Sequence, residues 1–329
     1  MNLYPLLHLL NSSRYVSGTE LGRQLDLSRA AIWKQIKQLE QLGLDIETHR
    51  QQGYRLSQAY RFFDPEQLKT ALEVKAVPVA HLEVYPSCPS TNLRLHEVLQ
   101  QGQSIHQALV VADLQTAGRG RRGRAWMSPL GSSICLSWGW RFDGSAQQLE
   151  GLSLAVGVVI VETLQQLGIE GVGLKWPNDL YTAEGKLGGI LIELAGDLAG
   201  PCELILGVGL NDTRPQHQIE LDQPLAYLSE CATALPDKNQ LAALLTQGIF
   251  KLLSRYLEQG FTAYSGAWND FHIWHNRQAR VLAQGRQEQV RLGGVNQRGE
   301  LEVFDQAGAS RFLSGGEISV RVDKDDFGS

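Results

Sequence analysis

Cysteines are few in this sequence, and they are widely scattered. Cys88, Cys135, Cys202 and Cys231 form no C-x-x-C pair in 329 residues, which argues against a disulfide framework and against a zinc site. We expect reduced, apolar side chains at all four positions.

Long apolar runs are also missing. No uninterrupted apolar stretch reaches the about 18 residues from which a membrane span is predicted. The short apolar stretch near the N-terminus is interrupted by Pro5 and has no basic segment before it, so no signal peptide is predicted. We therefore expect a cytoplasmic protein without a membrane partner.

A large excess of charge of one sign is missing as well. The net charge of −5 argues against a protein that binds polyanions over its whole surface. Residues 1–60 carry seven Lys and Arg against five Asp and Glu, a net charge of +2, which leaves −7 for the remainder. The length fits two or three domains, and this charge difference sets the N-terminal segment apart.

What the sequence does contain is an unusual stretch, Gly118–Arg124, made only of three glycines and four arginines. It lies between two predicted buried strands, 108–112 and 133–138. Glycine lets backbone amides approach a ligand closely, and arginine offers planar charged forks for phosphate or carboxylate oxygens, so an anion-binding loop is predicted. The alternative is a flexible Arg/Gly tract that contacts RNA.

Two nucleotide-binding motifs are excluded at this stretch. Its letters match G-x-G-x-x-G, but that fingerprint requires a helix to begin at the last glycine, and no helix fits residues 124–129. No Gly-Lys-Ser/Thr closes the run, so it is not a P-loop either.

Residues 1–62 have the pattern of a winged helix-turn-helix. A stripe of leucines precedes a short helix over 16–25, for which Ser17 or Thr19 is the available cap, and after a tight turn Ser28 caps a helix over 29–39. Alternating segments on either side of 50–52 predict a hairpin, which would form the wing.

The capped helix has two different faces. Ile32, Ile36 and Leu39 are spaced to face inward, and Ala30, Trp33, Lys34 and Lys37 lie on the opposite face. In the wing, Arg55 is placed to contact phosphate. An interaction module with a solvated charged face is the alternative to DNA binding. The residues predicted to contact DNA are Ser28, Arg29, Ala30, Trp33, Lys34, Lys37 and Arg50.

Three stretches of the central region carry polar groups that suit a binding site. Ser90-Thr91-Asn92 lies at the start of a helix, where free amides and small polar side chains suit a neutral polar group, although a simple helix cap is the alternative. Residues 175–181 and the strand after them offer two lysines, Lys175 and Lys186, expected to point to one side. Asn178 and Asp179 offer oxygens of the type that Mg²⁺ takes beside phosphates. The alternative is that these are ordinary surface lysines and an ordinary Asn-Asp turn without a binding role. The third is a buried strand over 204–211.

The predicted fold is α+β and multidomain. Helices over 152–167 and 239–259 and several strands predict a central mixed sheet with helices on one face. Short alternating strands split by Gly-rich turns predict a small C-terminal barrel. The expected domains are 1–62, 65–270 and 272–325, with a hinge at Tyr60–Pro65.

Taken together, these residues resemble the biotin–protein ligases, and specifically those members that also repress a biotin operon. The resemblance covers the whole chain and is carried by the winged helix, Ser90-Thr91-Asn92, Gln115 with Gly118–Arg124, Trp126, Lys175–Asp179, Lys186–Gly189 and Gly207–Asn211. It implies a catalytic domain like those of biotin ligases and class II aminoacyl-tRNA synthetases, followed by an SH3-like barrel.

The resemblance also implies a two-step reaction. Biotin and MgATP give biotinyl-5′-AMP, and the biotinyl group then passes to a lysine of the biotin carboxyl carrier protein of acetyl-CoA carboxylase. Biotinyl-5′-AMP would also act as corepressor, by favouring a homodimer that binds operator DNA. Two rivals stay open: a ligand-sensing repressor without ligase activity, and a ligase whose winged helix is not used on DNA.

The family's functional residues map onto this sequence in three sets. The expected catalytic residues are Lys186 and Arg121. The expected biotin-binding residues are Ser90, Thr91, Asn92, Gln115, Gly118, Arg119, Gly120, Arg121, Trp126, Lys186 and Gly188. The expected ATP-binding residues are Arg121, Arg124, Lys175, Asn178, Asp179 and Asn211, with Asp179 also on the metal. No aromatic residue is assigned to stack on adenine, since 213–228 holds Tyr227 but no tryptophan.

Overall fold

The structure is a computed structural model that describes residues 3–197, 199–215, 223–283, 286–315 and 319–321. Its N-terminal part contains three helices and a two-stranded hairpin: α1 (Tyr4–Leu10), α2 (Gly18–Leu25), α3 (Arg29–Gln41), β1 (Ile46–His49) and β2 (Gly53–Leu56).

Side-chain caps fix where α2 and α3 begin, as predicted. Ser17 Oγ accepts a hydrogen bond from the backbone N of Glu20 at 3.1 Å, and Ser28 Oγ accepts one from the backbone N of Ala31 at 3.2 Å. The turn between the helices uses Asp26 in the left-handed conformation, with φ of 52°. Ile32, Ile36 and Leu39 are buried, which confirms the predicted inward face of α3.

The central part is built on a seven-stranded sheet. In this sheet β3 pairs in parallel with β4, and the other described neighbouring pairs are antiparallel, so the predicted mixed sheet is confirmed. The order across the sheet is β3-β4-β5-β9-β8-β7-β6, from strands β3 (His81–Tyr85), β4 (Ala108–Ala112), β5 (Ser133–Phe142), β6 (Gly173–Lys175), β7 (Asp179–Tyr181), β8 (Lys186–Gly196) and β9 (Cys202–Asn211).

Seven helices among the described residues surround this sheet. The first follows the hinge, and Asp64 Oδ1 caps it by accepting from the backbone N of Glu66 and of Gln67 at 3.0 Å. The helices are α4 (Pro65–Val74), α5 (Thr91–Gln100), α6 (Leu152–Gln166), α7 (Leu228–Cys231), α8 (Lys238–Leu253), α9 (Tyr256–Gln259) and α10 (Ser265–Phe271).

The helices lie on both faces of the sheet, and the prediction of one covered face was wrong. α6 and α8 pack on the face that holds Leu109 and Val111 of β4. α5 packs on the other face, where Ala108 and Val110 meet its apolar side. Alternate residues of a strand point to opposite faces, so an all-apolar strand such as β4 needs cover on both sides.

The helix predicted over 239–259 is divided in two. Asp237 caps its start at Lys238, and the chain turns after Leu253 before α9 begins. The turn buries Tyr256, whose hydroxyl donates to the backbone O of Glu150 at 2.7 Å. This tertiary contact, which the periodicity of the segment does not report, breaks the helix.

The C-terminal part is a five-stranded antiparallel sheet. Its order is β13-β12-β11-β10-β14, and the strands are β10 (Gln278–Ala283), β11 (Arg286–Val295), β12 (Leu301–Phe304), β13 (Ser310–Leu313) and β14 (Ser319–Arg321). Five strands were predicted here; residues 317, 318 and 322 of the last predicted strand lie outside the described residues.

Two further predictions can be compared with the structure. All four cysteines are free thiols, as predicted. The helical stretch Ala146–Gln166 is long and apolar enough, by length and composition, to cross a membrane, although the sequence predicted no such span. However, 67% of its most apolar window is buried inside the protein, where α6 packs against the sheet and beside α8.

Candidate active site

A pocket opens on the α5 side of the central sheet, between the start of α5, the segment 115–127 and the facing strands β7, β8 and β9. It brings together most of the residues that the sequence predicted for biotin, ATP and metal. Those that line it are Ser90, Thr91, Asn92, Gln115, Arg119, Gly120, Arg121, Arg124, Trp126, Asn178, Asp179, Lys186 and Asn211.

One end of the pocket is polar but uncharged. Ser90 Oγ caps α5 through the backbone N of Leu93 at 3.5 Å, as the simpler interpretation of this stretch predicted. Thr91 donates to Gln115 Oε1 from its backbone N at 2.8 Å and from its hydroxyl at 3.1 Å. These contacts occupy the acceptor of the Gln115 amide, so its N–H groups are the part that can bind a ligand.

Two side chains behind this end were missed by sequence reasoning. Ser137 of β5 lies with its hydroxyl 2.5 Å from Asn92 Oδ1 and 2.7 Å from Thr91 Oγ1. Asn92 in turn donates from Nδ2 to Glu193 Oε2 at 2.6 Å. A polar residue in the middle of a mostly apolar strand was the available signal for Ser137, whereas Glu193 carried none.

The floor of the pocket depends on two glycines of β9. A Cβ at Gly207 would lie 2.4 Å from Asn92 Oδ1, and one at Gly209 would lie 2.5 Å from the Trp126 ring. Distances this short are not tolerated, so both positions must be glycine for Asn92 and Trp126 to pack as they do. The result is a flat apolar surface next to the uncharged polar end.

The other end of the pocket is charged. Lys186 Nζ lies 2.8 Å from Asp179 Oδ1, and both side chains are 16% exposed. The β7–β8 hairpin makes this pair, because it sets Tyr181 opposite Lys186 and Asp179 opposite Gly189. Asn211 is committed to the backbone here: its Nδ2 donates to the carbonyl O of Lys186 at 3.1 Å and of Ala226 at 3.0 Å.

The glycine/arginine stretch folds over the charged end and is not followed by a helix. Residues Arg121–Gly123 form a single 3₁₀ turn, in which Arg122 has φ of 60°. Arg121 Nη1 donates to Asn178 Oδ1 at 3.4 Å, and its Nη2 donates to the backbone O of Gly315. Burial lowers the pKa of the Arg121 guanidinium, as do the charges of Arg122 and Arg124; arginine still remains charged.

Three predicted residues are not part of the pocket lining. Lys175 lies opposite Asp179 in the β6–β7 pair, so it shares with Lys186 the side of the sheet that holds Asp179, as expected, but it is one strand further out and does not line the pocket. Its Nζ instead lies 4.7 Å from the Tyr181 ring centroid and 4.4 Å from that of Trp274. Gly118 and Gly188 support the lining from behind, since a Cβ at either would meet backbone oxygen at 2.5 Å or 2.7 Å.

Metal-binding groups are sparse. Among the described residues there is no cluster of three or more His, Cys, Asp and Glu side chains. Asp179, with Asn178 beside it, is the carboxylate of the pocket. Such a site suits Mg²⁺ that is held by one carboxylate together with substrate phosphates.

Tyr227, the aromatic residue of the segment expected to cover the nucleotide, is not open to adenine. Tyr227 is 4% exposed, and the Arg214 guanidinium lies 4.6 Å from its ring centroid, so one ring face is covered. Residues 216–222 of the expected covering segment lie outside the described residues.

The predicted DNA-contacting residues all lie on the surface. Ser28, Arg29, Ala30, Trp33, Lys34, Lys37 and Arg50 are exposed, and Trp33 is 56% exposed. Arg55 differs from the prediction, because its guanidinium lies 2.7 Å from Glu47 and 4.5 Å from the Tyr15 ring centroid. This ion pair joins the two strands of the wing.

Comparisons with known proteins agree with this arrangement. Residues 84–211 match the model of the "Biotin/lipoate A/B protein ligase family", and residues 3–55 match the model of an "HTH domain". The chain is 34% identical to the "Bifunctional ligase/repressor BirA" of Escherichia coli and 33% identical to that of Salmonella typhimurium, over 96% of each chain. A solved structure of the Aquifex aeolicus biotin protein ligase in complex with biotin and ATP is similar, with a TM-score of 0.64 and 25% identity over 74% of this chain and 100% of that one.

Proposed function

This chain belongs to the family of bifunctional biotin ligase/repressors, and from that premise we propose that its pocket joins biotin to AMP and its α3 face binds operator DNA. The chain is an ATP-dependent biotin ligase. It makes biotinyl-5′-AMP and pyrophosphate, and it transfers the biotinyl group to a lysine of a biotin carboxyl carrier protein. The second activity is repression of a biotin operon, with biotinyl-5′-AMP as corepressor.

The chemistry explains why the pocket has two different ends. A carboxylate resists attack by an amine until it gains a leaving group, and AMP is that leaving group. Before it can be attached, the biotin carboxylate and the ATP triphosphate must approach each other against their mutual repulsion. Cations positioned between them cancel this repulsion and stabilise the charge that develops at phosphorus.

The observation that carries the proposal is the polarity of the pocket. Thr91, Asn92 and Gln115 form an uncharged polar end, which suits a ureido ring. Lys186, Arg121 and Asp179 form a charged end, which suits a carboxylate next to a phosphate. Between them lies the flat surface of β9, which suits a bicyclic ring and an aliphatic chain.

Lys186 has the central role in this reaction. It is paired with Asp179, and the arriving biotin carboxylate replaces that partner. Asp179 and Asn178 are then available to hold Mg²⁺, which when bound neutralises phosphate charge. Arg121 and Arg124 hold phosphate oxygens, and the backbone of 118–121 closes over the ring of biotin. Lys175 supports the β6–β7 hairpin from outside the pocket.

Several finer features belong to the same proposal. The domains are 1–62, 65–270 and 272–325, and the C-terminal sheet is an SH3-like barrel. The protein is cytoplasmic. Adenylate binding orders the glycine/arginine loop and favours a homodimer, which presents two α3 helices to a two-fold operator.

The direct test is incubation of the protein with biotin, MgATP and a biotin carrier domain, followed by measurement of the carrier's mass. We expect one biotinyl group to be added to one lysine, and omission of ATP to prevent it. An unmodified carrier together with no biotin-dependent exchange of pyrophosphate into ATP would leave a ligand-sensing repressor. Gel shifts with the DNA upstream of the biotin genes, with and without biotinyl-5′-AMP, test whether the winged helix is used on DNA.

A further inference from the structure

Two buried carboxylates lie where the N-terminal part meets the central part. Asp113 follows directly after β4, and Asp212 follows directly after β9, so each stands at the end of a strand that leads into the pocket. Both are 0% exposed. A charged side chain tolerates such burial when it is paired and hydrogen-bonded.

Asp113 accepts hydrogen bonds from three separate parts of the chain. The hydroxyl of Tyr4, on α1, donates to Oδ2 at 2.9 Å. The backbone N of Phe63, in the hinge, donates to the same oxygen at 3.1 Å. Lys238 Nζ, at the start of α8, lies 2.5 Å from Oδ1. The Tyr4 bond therefore reaches from the winged helix into the catalytic part.

The segment after Asp113 is fixed to the pocket. It runs beside the segment that follows β3: Cys88 N donates to Leu114 O at 3.1 Å, and Thr116 N donates to Cys88 O at 3.0 Å. Gln115, two residues after Asp113, accepts from Thr91 at the uncharged end of the pocket. On the other side, Gln115 N donates to Ser128 Oγ at 2.9 Å. Only Leu114, which is held in this way, separates Asp113 from Gln115, so we expect a shift of Asp113 to move Gln115 as well.

Asp212 makes a second connection of the same kind. Arg61 of the hinge donates from Nε to Asp212 Oδ2 at 2.7 Å. The preceding residue, Asn211, holds the backbone of Lys186 at the charged end of the pocket. The winged helix and its hinge thus contact the segments that carry both ends of the pocket.

We infer that Asp113 is a positioning residue through which Tyr4 of the winged helix holds Gln115 in place for biotin. This inference rests on the proposed ligase function. Asp113 touches no substrate; it acts through Gln115 and Thr91. Because coupling between two sites is reciprocal, biotin in the pocket stabilises the docked position of α1 by the same factor.

The test uses the full chain with Tyr4→Phe, which removes the hydroxyl and keeps the ring. Biotin-dependent pyrophosphate–ATP exchange gives kcat and KM for biotin. We expect KM to rise by about 3- to 10-fold while kcat stays within about twofold, because the lost bond positions the ligand without taking part in the reaction. Hydrogen exchange of residues 4–10 slows on adding biotin in the wild type and not in the variant.

The matched control is Tyr15→Phe, which removes a tyrosine hydroxyl bonded at 2.7 Å to Glu47 within the winged helix. We expect an unchanged KM for biotin. Equal KM values for Tyr4→Phe and the wild type overturn the inference. It is also overturned if both variants have a lower Tm and lose kcat and kcat/KM to the same extent, because the effect is then a general loss of stability. A wild-type chain without exchange activity instead overturns the proposed function.

Discussion

The pocket and the α3 face both carry lysine and arginine, but they place these side chains in opposite environments. In the pocket, Lys186 and Arg121 are largely buried and already hold partners, so their positions are set before a ligand arrives. On α3, Arg29 and Lys34 are exposed. Under the proposed function, the pocket relies on fixed geometry and low dielectric, whereas the α3 face relies on charge that salt can screen. One chain can therefore be selective for a small acid and adaptable towards a polyanion.

The largest effect that this comparison predicts is at Lys186. Lys186→Ala removes the cation that we propose to meet the biotin carboxylate, and we expect adenylation to fall by about 100- to 1,000-fold with the fold intact, as for loss of a preorganised charge-stabilising donor. Pyrophosphate–ATP exchange measures adenylation, and the Tm shows whether the fold is intact. Lys175→Ala is the matched control, because that lysine lies outside the pocket lining, and its effect should be much smaller. Near-normal exchange by Lys186→Ala would remove its assigned role.

A buried side chain that would have to become charged without a counter-ion should lower the stability of the fold, and His272 tests this. Burial lowers its pKa from 6.5 to about 4, helped by His275, although a backbone hydrogen bond with Gly293 opposes the shift. The unfolded chain binds the proton first as pH falls, so stability is lost between pH 6.5 and 4, by roughly 2–3 kcal/mol. Thermal unfolding should show a smaller loss over that window for His272→Gln. Identical pH profiles would contradict this.

A smaller effect is expected at the glycine/arginine loop. Arg121→Gly removes the contacts with Asn178 and Gly315, and biotinyl-5′-AMP should leave about tenfold faster, since charge-assisted hydrogen bonds hold the phosphate. Release can be followed by stopped-flow fluorescence. The control is Arg122→Gly, at an exposed position with φ of 60° that glycine adopts readily. Equal release rates for Arg121→Gly and the wild type would show that the loop closes without this arginine.

The smallest effect is expected on the exposed face. Lys34→Ala should weaken operator binding by about threefold and reduce the slope of log K against log salt by about one, as for loss of one phosphate contact. Gel shifts at several salt concentrations measure both. Lys69→Ala, an exposed lysine of α4, is the control. A slope that does not change would place Lys34 away from the phosphate backbone.

Local signals were enough to predict the parts of the fold that depend on neighbours in sequence. Ser17 and Ser28 cap helices because their hydroxyls bond amides three residues on, and such spacing is visible in the sequence. The hairpin that brings Asp179 to Lys186 is local for the same reason. The glycine/arginine stretch was recognisable because its composition is itself unusual.

Contacts between distant residues could not be predicted in this way. Tyr4 and Asp113 are 109 residues apart, and Asp113 and Lys238 are 125 apart. Lys175 had the right chemistry for a phosphate, but its strand lies beyond β7 from Lys186, and its Nζ lies against Trp274. Glu193 carried no signal, because its role depends on an asparagine that only the folded sheet brings to it.

The Tyr4 hydroxyl also limits how freely this molecule can be rebuilt. A chimera with a different DNA-binding domain, made to obtain a new sensor, would be joined near the hinge as if the two parts were independent. Such a chimera keeps the Asp113–Lys238 pair but loses the phenol that donates to Asp113. Retaining a tyrosine at the matching place in the incoming helix is therefore a design requirement for any such exchange.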